Sequence, residues 1–138
     1  MTRQAFRKTL SANDTGQTKS HQAGMLIPKG DREFRDFLGH LDPDVKNPRN
    51  TIHCLDENGD VLDLQYIYYN NKLHDERGTR NEYRLTCLTA YLRRNGAQAG
   101  DEIEISKDES ESFHRIRFLA QSHALPAKVI LRGWRRVH

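Results

Sequence analysis

Residues 10–24 (LSANDTGQTKSHQAG) carry almost no large apolar side chain, and this stretch limits the folds open to the chain more than any other. It lies between two runs with strand character. Residues 5–10 alternate apolar and polar, and Met25-Leu26-Ile27-Pro28 is short, apolar and ended by a proline. A loop of that length without its own hydrophobic pattern is uncommon inside a compact domain and is usually functional or disordered. It holds Ser11, Asn13, Asp14, Thr15, Gln17, Thr18, Lys19, Ser20, His21 and Gln22, a dense set of donors and acceptors. Such groups suit first an Ω-loop with an Asx turn at Asn13-Asp14, and they can also read base edges.

A second polar stretch begins at Tyr68, YYNNKLHDERGTRNEYRLT, between the strand-like residues 62–68 and Leu85-Thr86-Cys87. Around these two stretches the elements are short. Phe34, Phe37 and Leu38 recur at helical spacing, with Gly30-Asp31 as a start and Gly39 as a stop. Residues 41–50 form a loop with two prolines, and residues 51–55 and 61–69 read as strands joined at an Asn58-Gly59 hairpin turn. A short helix is expected from Leu85 through Tyr91 and Leu92 to Arg94, ended by Asn95-Gly96. Strands follow at 102–105, 113–119 and 127–137. Seven short strands with turn signals and two short helices predict a mainly β barrel or sandwich, and an OB-fold fits the count as well. No repeat or linker divides the 138 residues, which read as one domain.

Charge is distributed unevenly. Residues 1–24 hold four Lys/Arg against one acid, 66–94 hold six against three, and 115–138 hold six against none. The acids concentrate in 25–65, nine against five, and in 101–112, six against one. Ordinary surface charge accounts for such runs, and so does one positive face directed at nucleic acid. No run approaches the roughly eighteen apolar residues of a membrane span, and no signal-peptide pattern opens the chain, so a cytoplasmic protein is expected. Cys54 and Cys87, two and far apart, suggest half-buried free thiols rather than a disulfide or a zinc site.

Catalytic patterns fail on spacing. Asp44-Val45-Lys46 has the D-x-K form of a metal-dependent nuclease but sits in the proline-bounded loop. Glu104 and Lys107 are an odd number apart, so a strand places them on opposite faces. The histidines are scattered. Asp56, Asn58 and Asp60 imitate the opening of a calcium loop, but positions six and twelve would be Val61 and Ile67. No serine has a G-x-S-x-G setting.

SANDTG followed by HQAG and IP, with YYN and later TRNE, resembles the N-terminal DNA-binding domain of EcoRII-like restriction endonucleases. That resemblance implies a seven-stranded open pseudobarrel of the B-three kind, with two arms that grip double-stranded DNA from either side in the major groove. Carried over by position, the first arm is Ser11 to Gln22 and the second Lys72 to Arg84. Arg80 and Arg84 would read guanine, Asp14 and Glu82 would accept from cytosine N4, and Asn13, Asn81 and Gln22 would bridge neighbouring bases. Lys8, Lys19, Lys72 and Arg77 would hold phosphates, with Ser11, Thr15, Thr18, Ser20, His21 and Thr79 completing the contact set. The segment between YYN and TRNE is longer than the family pattern, and Tyr83 stands where the family has lysine.

The resemblance further implies a GC-rich target such as CCWGG and a monomer when the domain is isolated. It also implies no cofactor in this domain, Mg²⁺ being expected only for a covalently attached nuclease domain of a larger prokaryotic type II enzyme, of which a chain starting at Met1 would be the N-terminal part. Rival readings are a stand-alone DNA-binding regulator, an anti-restriction or toxin-type protein whose loops bind protein, and an OB-like single-strand binder. The last would stack bases on Tyr66, Tyr68 or Tyr69.

Overall fold

The β3 (Arg49–Leu55) and β4 (Val61–Tyr69) hairpin pairs in register from Leu55 opposite Val61 to Arg49 opposite Ile67. Its turn forms where Asn58-Gly59 stands, with Gly59 at φ +83°. Asp56 fastens that turn. One carboxylate oxygen accepts the Asn58 and Asp60 N–H groups at 2.8 and 2.9 Å, and the other pairs with Arg94 at 2.9 Å. The carboxylate that imitates a calcium ligand is thus committed to its own hairpin, and those bonds hold its pKa below the ordinary value.

The computed structural model describes residues 2–15, 24–121 and 133–138. The remaining strands are β1 (Arg3–Thr9), β2 (Met25–Ile27), β5 (Glu82–Thr86), β6 (Glu102–Asp108), β7 (His114–Leu119) and β8 (Trp134–Arg136). Among the described residues they make one eight-stranded sheet in the order β2-β5-β4-β3-β7-β6-β1-β8. The β3–β7 contact is parallel and short, Cys54 opposite His114 and Leu55 opposite Arg115, and the other pairings are antiparallel. The two edges, β2 and β8, do not pair with each other. Helix α1 (Arg32–Leu38) fills the seam. Its Phe34 stacks on Trp134 at 4.2 Å, and Asp31 accepts the Trp134 N–H at 2.9 Å. The result is an open pseudobarrel.

The expected fold class holds, with one more strand and one more helix than seven and two. The extra strand is β5. Tyr83 and Leu85 alternate inward between Glu82, Arg84 and Thr86, a period of two that takes precedence over the helix expected from Leu85. Cys87 then adopts φ +73°, and the second long helix, α3, begins only at Thr89 and runs to Arg94. The third helix, α2 (Asn71–His74), is a single turn inside the second polar stretch.

Phe6, Leu10, Ile27, Phe34, Leu38, Leu64, Tyr66, Leu85, Tyr91, Ile103, Ile105 and Ile116 are the largest fully buried side chains, and each stabilises the fold by about 1.5–3 kcal/mol relative to exposure. Polar groups tie the barrel ends. Tyr91 donates its hydroxyl to Glu57 at 2.8 Å, and the same carboxylate accepts the Phe118 N–H at 2.8 Å. On the outer face of β6, Glu104 is 1% exposed beneath Arg7 and Arg117, at 2.9 and 2.7 Å, while Glu102 pairs with Arg135. Arg115, Arg117 and Arg135 of the basic run therefore pair with Glu111, Glu104 and Glu102 of the acid-rich run, so charges segregated in the sequence meet in three dimensions. Cys54 is buried, its thiol pushed up to about 12 by burial first and by Asp63 second, and Cys87 is exposed. No helix among the described residues is long and apolar enough to cross a membrane.

Candidate nucleic-acid interface

The first polar stretch leaves β1 at Leu10, whose N–H donates to the Asp101 carbonyl at 2.7 Å and whose own carbonyl accepts the Gly100 N–H at 2.9 Å. Ser11 and Asp14 then cap each other. The Ser11 N–H donates to the Asp14 carboxylate at 3.0 Å, and the Asp14 N–H donates to the Ser11 hydroxyl at 3.1 Å. Thr15 closes the turn on the Ser11 and Ala12 carbonyls. Beneath it the Lys8 ammonium pairs with Asp14, and both side chains are 8% exposed. Lys8 and Asp14, expected at a phosphate and at a base, neutralise each other's buried charge at the start of this stretch. Asn13 is exposed on the turn. Thr18, Lys19, Ser20, His21 and Gln22 lie outside the described residues.

The stretch re-enters the sheet at Gly24, where φ is +92° and an added Cβ would lie 2.6 Å from the Leu85 carbonyl oxygen. Only glycine fits so close to β5. The Gly24 carbonyl accepts Arg84 Nη1 at 2.9 Å, and Arg84 Nε donates to Glu82 at 2.8 Å. The other oxygen of Glu82 accepts Arg80 Nε at 3.0 Å, and the Arg80 guanidinium lies over the Tyr69 ring at 3.8 Å. A single chain of contacts, Gly24–Arg84–Glu82–Arg80–Tyr69, thus runs from the exit of the first stretch to the root of the second. Burial alone would raise the Glu82 pKa, but the hydrogen bonds from Arg80 and Arg84 outweigh it and hold the carboxyl below its ordinary value.

The second stretch is a closed loop. The Arg80 N–H donates to the Asn71 side chain at 2.8 Å and the Lys72 N–H to the Arg80 carbonyl at 3.0 Å, pinching residues 71–80 at their base. Gly78 passes so near α2 that a Cβ would lie 2.1 Å from the Asn71 carbonyl oxygen. Asn70, 0% exposed, exchanges hydrogen bonds with Asn47 at 2.7 and 3.1 Å and donates to the Pro43 and Val45 carbonyls at 3.2 and 2.9 Å. The proline-bounded loop is therefore a brace for the second stretch. Lys46 adds an ion pair to Asp75 at 2.6 Å and His74 a bond to the Pro43 carbonyl at 2.9 Å. Lys46 of the D-x-K triplet is engaged there, and among the described residues no three His, Cys, Asp or Glu side chains are grouped as metal ligands.

Lys72, Arg77 and Thr79 are exposed on this loop, and Asn81 is held by the Tyr68 hydroxyl at 2.5 Å. Tyr68 stacks on Tyr83 at 4.2 Å, and the Arg35 guanidinium covers the ring of Tyr83 at 4.5 Å. Tyr83 is thus a packing residue under the arm. With Tyr66 and Tyr68 buried and Tyr69 beneath Arg80, these tyrosines offer no stacking platform for single-stranded bases. Sequence reasoning missed the supports Asn70, Arg35 and the 43–47 brace. Asn70 was visible in the YYN motif, whereas Arg35 and the brace carry no local signal.

Residues 2–93 match the family described as "Restriction endonuclease EcoRII, N-terminal", and the chain belongs to that family. It is 36% identical over 88 residues to the "Type II restriction enzyme EcoRII" of Escherichia coli, a match covering 59% of this chain and 20% of that protein. The chain thus spans about a fifth of the length of the curated relative it matches. The fold is also that of the protein in the "Arabidopsis FUS3-DNA complex", with a TM-score of 0.61 and 23% identity over 84% of this chain and 96% of the other. That likeness places the barrel in the B-three pseudobarrel class.

Proposed function

We propose that the chain binds double-stranded DNA sequence-specifically through two arms that enter the major groove, the first formed by residues 11–22 and the second by residues 72–84. The observation that carries the reading is the Gly24–Arg84–Glu82–Arg80–Tyr69 chain, which ties the second stretch to Gly24, where the first stretch rejoins the sheet. A guanidinium stacked on an aromatic ring and gripped along its Nε edge is preorganised, and its terminal nitrogens match guanine O6 and N7. Arg80 reads the base in this account. Glu82 and Arg84 position it, replacing the simpler assignment of Glu82 to cytosine. Lys72 and Arg77, exposed at the loop, hold phosphates with Lys19, while Asn13, Asn81 and Gln22 supply the amide contacts. Membership of a restriction-endonuclease family and likeness to a protein solved with DNA both support duplex DNA as the partner.

The target class is a GC-rich site such as CCWGG, and the domain acts as the monomeric effector of a longer restriction enzyme whose Mg²⁺-dependent cutting resides in a separate nuclease domain. A panel of short duplexes with single-stranded controls tests the core of this. The chain should retain CCWGG-type duplexes over unrelated ones, bind single strands weakly, and leave plasmid DNA uncut with or without Mg²⁺. Equal binding to all duplexes would refute the specificity, and cutting lost on changing Asp44 would refute the division of labour.

A further inference from the structure

Asn81 sits between Arg80 and Glu82, where the second polar stretch enters β5, and it is partly exposed. Its amide is held from below. The Tyr68 hydroxyl donates to Asn81 Oδ1 at 2.5 Å, from a side chain that is buried. Burial first, and Tyr83 second, raise the Tyr68 pKa, so the phenol keeps the hydrogen it donates. Among the described residues Asn81 Oδ1 is the one acceptor of that hydrogen, and a buried hydroxyl rarely leaves its hydrogen unpaired. The ring itself is clamped. Tyr83 stacks on it with 7° between the planes, and the Arg35 guanidinium that covers Tyr83 donates to the Lys29 carbonyl at 2.7 Å. A second chain of contacts, Arg35–Tyr83–Tyr68–Asn81, thus runs from α1 to the second stretch and fixes which way one amide points.

An asparagine pairs with adenine by laying its oxygen and nitrogen together along the N6 and N7 edge. With Oδ1 turned to the phenol, Asn81 offers only the two hydrogens on Nδ2. Resting on the duplex-binding function above, we propose that Asn81 is a donor-only reader of a base acceptor in the major groove, and that the Tyr68 hydroxyl sets this specificity. The acceptors there are purine N7, guanine O6 and thymine O4, whereas cytosine presents its N4 donor. Asn81 held in this way accepts a purine or thymine, rejects cytosine, and gains nothing from adenine over guanine.

Titrations of the whole chain with its bound duplex test this when base acceptors are removed one at a time. Each purine is replaced by its 7-deaza form, each guanine by 2-aminopurine and each thymine by 5-methyl-2-pyrimidinone, with methylphosphonate linkages as the backbone control. At one position the wild-type chain should lose about threefold to tenfold in affinity, the scale of one hydrogen bond, and Asn81→Ala should lose nothing further there. The analogue that responds names the acceptor. Tyr68→Phe keeps the stacked ring and frees the amide to turn, so the ratio of affinities for adenine and guanine at that position should shift towards adenine. Asn81→Asp, which offers only acceptors, should shift the preference there towards cytosine. A scan in which Asn81→Ala matches wild type at every base, a Tyr68→Phe chain with the wild-type ratio, or a response confined to the methylphosphonates overturns the proposal while leaving duplex binding intact. Absence of any duplex binding overturns the function on which it rests.

Discussion

Asn70 illustrates how much one side chain carries at the residue scale. Fully buried, it satisfies Asn47 reciprocally and two carbonyls of the brace, so Asn70→Ala leaves several polar groups unpaired at once. Urea unfolding should show a loss of about 1–3 kcal/mol for the buried groups left without partners, and a change inside experimental error would mean that water replaces the amide. Glu104 makes a second case. Burial pushes its carboxyl up, yet the hydrogen bonds from Arg117 and Arg7 prevail and lower its pKa. A carboxylate depressed in this way contributes stability above its ordinary pKa and loses it as pH falls through the lowered folded value. The melting temperature should therefore drop below about pH 4, and Glu104→Gln should flatten that acid limb while lowering the melting temperature at neutral pH. An unchanged acid limb in the variant would assign the dependence elsewhere.

Elements differ in how openly the sequence declares them. The β3–β4 hairpin was legible to the residue at the β4 ends, because alternation and Asn58-Gly59 agree with each other. Strand β5 was not, since Leu85 serves both its inward alternation and an apparent helical run towards Tyr91 and Leu92. Only the turn at Cys87, where φ is +73°, separates the two. The two polar stretches were legible as segments without core-forming side chains. Their supports were not, because Lys8 with Asp14 and Arg80 with Glu82 look identical in sequence whether they face a ligand or each other. The second arm also makes a testable element. Gly78→Ala would drive a methyl group into the Asn71 carbonyl and force the 71–80 loop open. Duplex affinity should fall at least tenfold, about 1.4 kcal/mol, while the melting temperature changes little, since the barrel core is untouched. A full loss of folding, or no loss of affinity, would contradict the loop's role as an independent gripping element.

At the scale of the whole molecule, the described residues form a barrel with α1 packed on Trp134 of its last strand, and Glu82 links Gly24 to Arg80 in the second polar stretch through Arg84. Arg7, Arg117 and Arg135 cover buried carboxylates on the barrel, and in the proposed function the arms rather than a broad basic face supply recognition. In the proposed function, sequence is read through a few rigid side chains, with Arg80 foremost. The direct test is a base-by-base substitution scan of the bound duplex with wild type, Arg80→Ala and Glu82→Gln. Arg80→Ala should cost about 1–3 kcal/mol and abolish discrimination at a single G·C pair, with Glu82→Gln weakening discrimination at that same pair. A uniform loss at every position, in either variant, would mean that the Arg80–Glu82 pair only shapes the loop, and would contradict base readout by this arm.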